Sequence, residues 1–294
     1  MEPIIETHGL RKHYRGKGGV DSIDLSIPSG QIYGFVGPNG AGKTTTIRVL
    51  LGFLRAGSGC ANIFGLDCWR DSHSIKRQVG YLPGDLRIYP WMTGERALRL
   101  VERIRGIDLK SAGNELAERF GLPMRQRVRT MSRGTRQKLG LVLALAHCPR
   151  LLILDEPTTG LDPPMRIELA GYLRERASAG DTVFFSSHTL AEVEQLCDRV
   201  GIVRNGCMVA DESISDWRNR APRIVTVRFP SREASATIDP PSCLVDLRRD
   251  GVTWTAQLFG PAAALMQWGA TQPIDDIAIE RPDLETLFRT FYRS

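Results

Sequence analysis

The 294-residue sequence has no apolar run long enough to cross a bilayer as a helix. Its longest, residues 139–146 (LGLVLALA), falls well short of the roughly 20 residues required. The first residues, MEPIIETHGLRKHY, lack the basic start, apolar run and small-residue cleavage site of a secretory leader, so export is not expected. Six scattered cysteines (Cys60, Cys68, Cys148, Cys197, Cys207, Cys243) include no C-x-x-C pair. That spacing argues against a zinc site or a redox motif and for reduced, packing thiols. Internal repeats, heptads and low-complexity tracts are missing, and with them solenoid and coiled-coil architectures. Neither sign of charge dominates: 39 basic against 33 acidic residues leave +6, compatible with nucleic acid, a membrane surface or neither.

What remains is an ordinary packed chain, 42% hydrophobic and 24% charged. At roughly 100 to 200 residues per domain its length suggests two domains. Strand-like runs at 31–36, 151–154, 182–185 and 199–203 alternate with helix-like stretches at 44–54, 95–105, 137–146 and 165–176. This alternation predicts an α/β fold with a largely parallel sheet and crossover helices. Asn205-Gly206 signals a two-residue hairpin and hence an antiparallel pair late in the first domain. Past Trp217 the texture changes, with prolines at 222, 230, 240 and 241 separating the short strands IVTVRF and VTWTAQL. A helix at 262–268, a strand at 274–279 and an amphipathic helix at 284–292 follow. We expect domains at 1–215 and 223–294, the second a small α+β unit with no visible chemistry.

Residues 37–45, GPNGAGKTT, match G-x-x-x-x-G-K-[ST], follow the apolar strand QIYGFV and precede a helix. The spacing predicts a phosphate-binding loop. The loop of Gly37, Pro38, Asn39, Gly40, Ala41 and Gly42 would wrap a phosphate at a helix N-terminus, each residue except the proline having a backbone N–H to offer. Lys43 would reach the outer phosphates, Thr44 would place its hydroxyl on Mg²⁺, and Thr45 would contact an inner phosphate. A second metal anchor is expected at the end of a neighbouring apolar strand, and LLILDEP supplies Asp155. Glu156, one residue on, is placed to accept a proton from attacking water, which favours hydrolysis over transfer.

Together these residues resemble the ATP-binding subunit of an ABC transporter over roughly residues 4–215. The resemblance implies an ABC-type P-loop NTPase domain with an antiparallel β part and a helical signature subdomain. It gives Tyr14 an adenine-stacking role, against the plainer reading of a half-buried strand tyrosine. MSRGTRQK (131–138) stands where the family carries LSGGQ, and only Ser132 and Gly134 match that core. There the signature binds the γ-phosphate of ATP held by a second subunit, implying a head-to-tail homodimer. Arg133 and Thr135 depart from the pattern. Asp162 in GLDP resembles the loop that crosses the dimer interface, or simply caps a helix. His188 matches the switch histidine. At YLPGD (81–85) the family's glutamine is replaced by Gly84, and Asp85 is a candidate substitute.

The family thus implies an ATPase using ATP and Mg²⁺, attached at the cytoplasmic face of the membrane through a separate permease. The single nucleotide domain, the segment YLPGDLRIYPWMTGE and the C-terminal domain look most like bacterial exporter ATPases of the drug-resistance type, with residues 82–95 sensing the permease. An ATPase acting on nucleic acid or the ribosome is the alternative. Five arginines between 125 and 136 favour it, and the absence of interleaved aromatics speaks against it, so nucleic acid is not expected as a partner. A GTPase or small-molecule kinase is weakened by Glu156 and the absence of an N-K-x-D motif.

Overall fold

The computed structural model describes residues 3–14, 18–220 and 223–280. Two compact units divide the chain, Met1–Ile214 and Ser215–Ser294.

The first unit opens with β1 (Pro3–His13) and β2 (Gly19–Pro28), paired antiparallel. In β2, GVDSIDLSIP, Val20, Ile23, Leu25 and Ile27 are buried and the polar residues between them mostly face outward. Then come β3 (Ile32–Val36), α1 (Lys43–Leu50), β4 (Ser58–Ile63), β5 (Leu66–Asp67), α2 (Ser72–Gln78) and β6 (Val79–Leu82). Three helices follow: α3 (Gly94–Arg105), α4 (Lys110–Arg119) and α5 (Arg133–Leu145). The unit continues with β7 (Leu151–Asp155), α6 (Pro163–Ser178), β8 (Thr182–Ser187), α7 (Leu190–Leu196), β9 (Arg199–Arg204) and β10 (Cys207–Ser213). Ten strands form one sheet in the order β5-β4-β1-β2-β10-β9-β3-β8-β7-β6.

Only five neighbours in that order, β9-β3-β8-β7-β6, are parallel throughout. The expected largely parallel sheet is therefore half the sheet. Every residue of β3, β7 and β8 is buried, as in a strand covered on both faces. The other half is antiparallel except where β10 meets β2 through the single parallel pair Cys207↔Ser22. The Asn205-Gly206 turn, with φ of 51° and 80°, closes the β9–β10 hairpin as its sequence predicts. The helix expected over 44–54 stops at Leu50, because the chain turns at Gly52 with φ 63°.

The chain leaves the first unit within α8 (Ile214–Arg220). Beyond it lie β11 (Arg223–Arg228), α9 (Arg232–Thr237), β12 (Leu244–Asp250), β13 (Thr253–Leu258), α10 (Ala262–Gly269) and β14 (Asp276–Glu280). The strands form an antiparallel sheet in the order β12-β13-β11-β14, the split βαβ pattern. Trp254 is fully buried at its centre, 4.7 Å from Phe229 by ring centroid. The amphipathic helix expected at 284–292 lies outside the described residues.

Candidate functional site

The loop 37–42 joins the buried end of β3 to the start of α1. Its glycines are sterically required. A Cβ on Gly37 would lie 2.2 Å from the carbonyl oxygen of Val203, and one on Gly42 would lie 2.9 Å from that of Gly19. Gly40 and Gly42 hold φ of 82° and 108°, and Gly42 caps α1. Pro38, Asn39 and Gly40 are exposed, while Ala41 is buried beneath them. Lys43 is 6% exposed, and its ammonium donates to the carbonyls of Gly37 at 2.6 Å and Pro38 at 3.3 Å. Burial holds its pKa below the ordinary lysine value, opposed by the charges of Glu156 and Asp155.

Asp155 ends β7, buried to 2% exposure. Its Oδ2 accepts from the Thr44 hydroxyl at 3.0 Å and its Oδ1 from the Ser186 hydroxyl at 2.6 Å. The second bond follows from register, since parallel pairing of β7 with β8 sets Asp155 opposite Ser186. Glu156 follows in the left-handed region, φ 50°, its N–H bonded to both the carbonyl and hydroxyl oxygens of Ser186. Its Oε1 stands 3.8 Å from Lys43 Nζ and 3.4 Å from His188 Nδ1. Lys43, Thr44, Asp155, Glu156 and His188 thus converge from α1, β7 and the end of β8. Thr45 lies beside them in the first turn of α1, half-buried.

Gly84, rather than Asp85, faces this cluster. A Cβ there would lie 3.3 Å from Asp155 Oδ2. The Asp85 carboxylate instead pairs with Arg87 at 2.7 Å, both side chains mostly in solvent. Tyr14, 41% exposed, follows β1, and Gly19 at the start of β2 has its carbonyl against Gly42.

Ser132 and Gly134 lie elsewhere in the unit. Ser132 caps α5, its hydroxyl oxygen accepting from the Thr135 N–H at 3.1 Å. A Cβ on Gly134 would sit 2.6 Å from the Gly160 carbonyl oxygen. Asp162 caps α6, accepting from the Met165 N–H at 3.3 Å. Among the described residues neither Ser132 nor Gly134 makes a hydrogen bond to the loop 37–45.

Sequence reasoning missed two residues. Ser186 holds Asp155 and Glu156 in place, and polar residues ending the buried strand TVFFSS were its signal. Gln137 on α5 donates to the carbonyls of Pro157 at 2.9 Å and Glu156 at 3.4 Å, tying the signature helix to the acidic turn.

Residues 20–159 match the family model described as ABC transporter. The bacitracin transport ATP-binding protein BcrA of Bacillus licheniformis is 41% identical over 223 residues, covering 75% of this chain and 73% of that protein. The chain belongs to the ABC transporter family. The daunorubicin resistance ATP-binding protein DrrA3 of Streptomyces coeruleorubidus is 32% identical over 302 residues, covering 98% of this chain and 95% of its own length. A solved ATP-binding subunit of an ABC transporter superposes with a TM-score of 0.68 at 28% identity, over 74% of this chain and 92% of that one.

As a member of the ABC transporter family, the chain is an ATP-binding subunit and an ATPase, and it is similar to subunits named for bacitracin transport and daunorubicin resistance. None of these relatives is named for action on nucleic acid or the ribosome, so that alternative gains no support. Among the described residues no helix is long and apolar enough to cross a membrane.

Proposed function

We propose that the converging cluster binds Mg-ATP and hydrolyses it between two copies of this chain, driving export through a separate permease at the cytoplasmic face of the membrane. The observation that carries this reading is the hydrogen-bonded line Thr44–Asp155–Ser186 beneath Lys43, with Glu156 poised beside it. The donors Thr44 and Asp155 are hard oxygens, the chemistry Mg²⁺ prefers. When bound, Mg²⁺ would neutralise charge on the outer phosphates. The backbone N–H groups of the loop Gly37 to Gly42, Pro38 excepted, cradle the phosphates, with Thr45 on an inner one and Tyr14 stacking on the adenine. Lys43 exchanges its two carbonyl contacts for phosphate oxygens. Glu156 takes the proton of the attacking water, and His188 steadies that water and the γ-phosphate.

The two-copy reading is supported by the separation of Ser132 and Gly134 from the loop of their own chain. In a head-to-tail pair each α5 tip would reach the γ-phosphate on the other copy. Binding energy available only in the closed pair then shifts the population toward closure, and hydrolysis releases it. We assign residues 1–215 to this ATP-binding domain and residues 223–294 to an accessory domain that regulates activity or supports the dimer. The exported compound is set by the permease.

Glu156→Gln should bind Mg-ATP without turning it over. Light scattering should show its mass doubling when Mg-ATP is added. A persistent monomer would count against the two-copy reading, and normal hydrolysis would make another group the base.

A further inference from the structure

The strand β8 ends on two serines, and because side chains alternate along a strand they serve opposite faces of the sheet. Ser186 turns toward Asp155, whereas Ser187, buried to 1% exposure, turns toward α7. The Ser187 hydroxyl donates to Glu192 Oε2 at 2.8 Å and accepts from the Thr189 N–H at 3.0 Å. These two bonds close the turn 187–189, whose middle residue is His188. Glu192 lies in the first turn of α7, so the helix that follows His188 also carries the carboxylate that holds its turn. Its other oxygen, Oε1, is 3.7 Å from Arg166 Nη1, and Arg166 Nε donates to the Leu161 carbonyl at 3.1 Å. Leu161 adjoins Gly160, the residue on which Gly134 of the α5 tip packs.

Within one chain, contacts therefore run without a break from the α5 tip through Gly160 and Leu161 to Arg166, Glu192, Ser187 and the turn of His188. Between α6 and α7 a cleft of about 380 Å³ opens, with Ile167, Ala170 and Ala191 in its walls. At the end of the cleft nearest His188 the two helices are joined by Arg166 and Glu192, and further along Arg174 donates to the Gln195 carbonyl. An ion pair at 3.7 Å with the arginine half in solvent adds little to stability. Its geometry matters more, because the same carboxylate orients a buried hydroxyl that in turn fixes the backbone on both sides of His188. A carboxylate that merely complemented the start of α7 would act on stability alone and would leave the imidazole where it is.

We propose that Glu192 and Arg166 are positioning residues for His188. Glu192 fixes the turn that carries the imidazole, and Arg166 passes to that turn the position of the backbone on which the α5 tip rests. The inference rests on the reading of His188 as the group that steadies the attacking water, and it gives two further side chains the task of aiming it. Single-turnover ATP hydrolysis, which resolves slow variants, is measured on full-length protein together with Mg-ATP affinity. The imidazole proton–nitrogen spectrum is recorded as well, the His188 signal among five histidines being the one lost in His188→Gln. Glu192→Ala should move that signal and slow hydrolysis by about tenfold or more, with affinity held within about twofold, which also shows that the variant is folded. Glu192→Gln keeps an acceptor for the Ser187 hydroxyl and should recover most of the lost rate. Arg166→Gln should move the signal in the same direction and slow hydrolysis by a few times. Added to His188→Gln, Glu192→Ala should cost nothing further, because its effect passes through the imidazole. Arg174→Gln, at the other end of the cleft, should change neither signal nor rate. A His188 signal unmoved by Glu192→Ala, no recovery in Glu192→Gln, a full additional loss in the double variant, or an equal loss in Arg174→Gln overturns the proposal. A normal rate in His188→Gln would overturn the reading of His188 and this inference with it, a pattern told apart from the others because Glu192 is then intact.

Discussion

The cradle between β3 and α1 and the tip of α5 are both small-residue turns that open onto a helix, yet their polar groups are engaged differently. In the cradle, Lys43 is folded onto its own loop, Asp155 accepts two hydroxyl bonds, and Glu156 lies between Lys43 and His188. Its charged groups are already held by one another in a single copy. At the α5 tip, the Ser132 and Thr135 hydroxyls bond to each other and the Ser132 hydroxyl to the Thr135 N–H, Gly134 backs onto the Gly160 carbonyl, and the stem of Arg133 lies over Gly160. Among the described residues none of Ser132, Gly134 and Thr135 hydrogen-bonds to the cradle; α5 meets it only further along, where Gln137 donates to the Glu156 carbonyl at 3.4 Å. The cradle is thus a site that one copy can build, whereas the tip, in the two-copy reading proposed above, serves the other copy.

The sharpest challenge to this contrast is Lys43→Ala. Losing the cation of the cradle should lower turnover by about a hundredfold or more and abolish ATP binding in isolated protein, as measured by nucleotide titration. Unchanged turnover would remove the assignment of the loop. Gly134→Ala tests the other side. Its new methyl would press on backbone at 2.6 Å, so the tip must shift, and turnover should fall by tens of times while single-copy ATP binding survives. If both variants lost binding equally, the division between the two regions would collapse. Ser186→Ala removes one of the bonds that orient Asp155. Loss of such a supporting contact should weaken the Mg²⁺ dependence of ATP binding by about tenfold, read from a metal titration.

A smaller effect, belonging to neither region, comes from His147 just past α5. Burial and the Arg105 charge push its pKa down to about 4, while its Nε2 meets the Val79 carbonyl at 3.2 Å. The folded chain stays neutral there when the unfolded chain takes up a proton. This contribution is therefore intact above about pH 6.5, the ordinary histidine value, and fades as the pH falls toward about 4. His147→Gln should flatten that acid limb in a series of thermal midpoints and leave ATP affinity untouched.

The cradle was legible in the sequence because its chemistry is local. Residues 37–45 sit between an apolar strand and a helix, and Asp155 and Glu156 end an apolar run. Ser186 was not legible, because its partnership with Asp155 depends on the register between two strands 31 residues apart. The same limit hid the pairing of β1 with β2 and β4, whose alternating burial gives no continuous apolar run. Gly84 could be seen to replace a glutamine, but only the fold shows that it, and not Asp85, faces the Asp155 carboxylate. In the second unit β11, β13, β14 and α10 could be read from the sequence, whereas α9, β12 and the order of the strands in the sheet could not.

One feature of the large sheet reaches beyond catalysis. Its antiparallel block β5-β4-β1-β2 joins the rest of the sheet through β10 by a seam only one residue pair long, Cys207 with Ser22, reinforced by the Gly206 carbonyl accepting from the N–H groups of Asp21 and Ser22. The cradle lies on that seam, with Gly42 against Gly19 on the antiparallel side and β3 on the parallel side. A nucleotide gripped by Lys43 from one half and stacked on Tyr14 from the other would act as a rivet. Fuel and fastener would then be one molecule, and each turnover would loosen and remake the joint between the halves of the sheet.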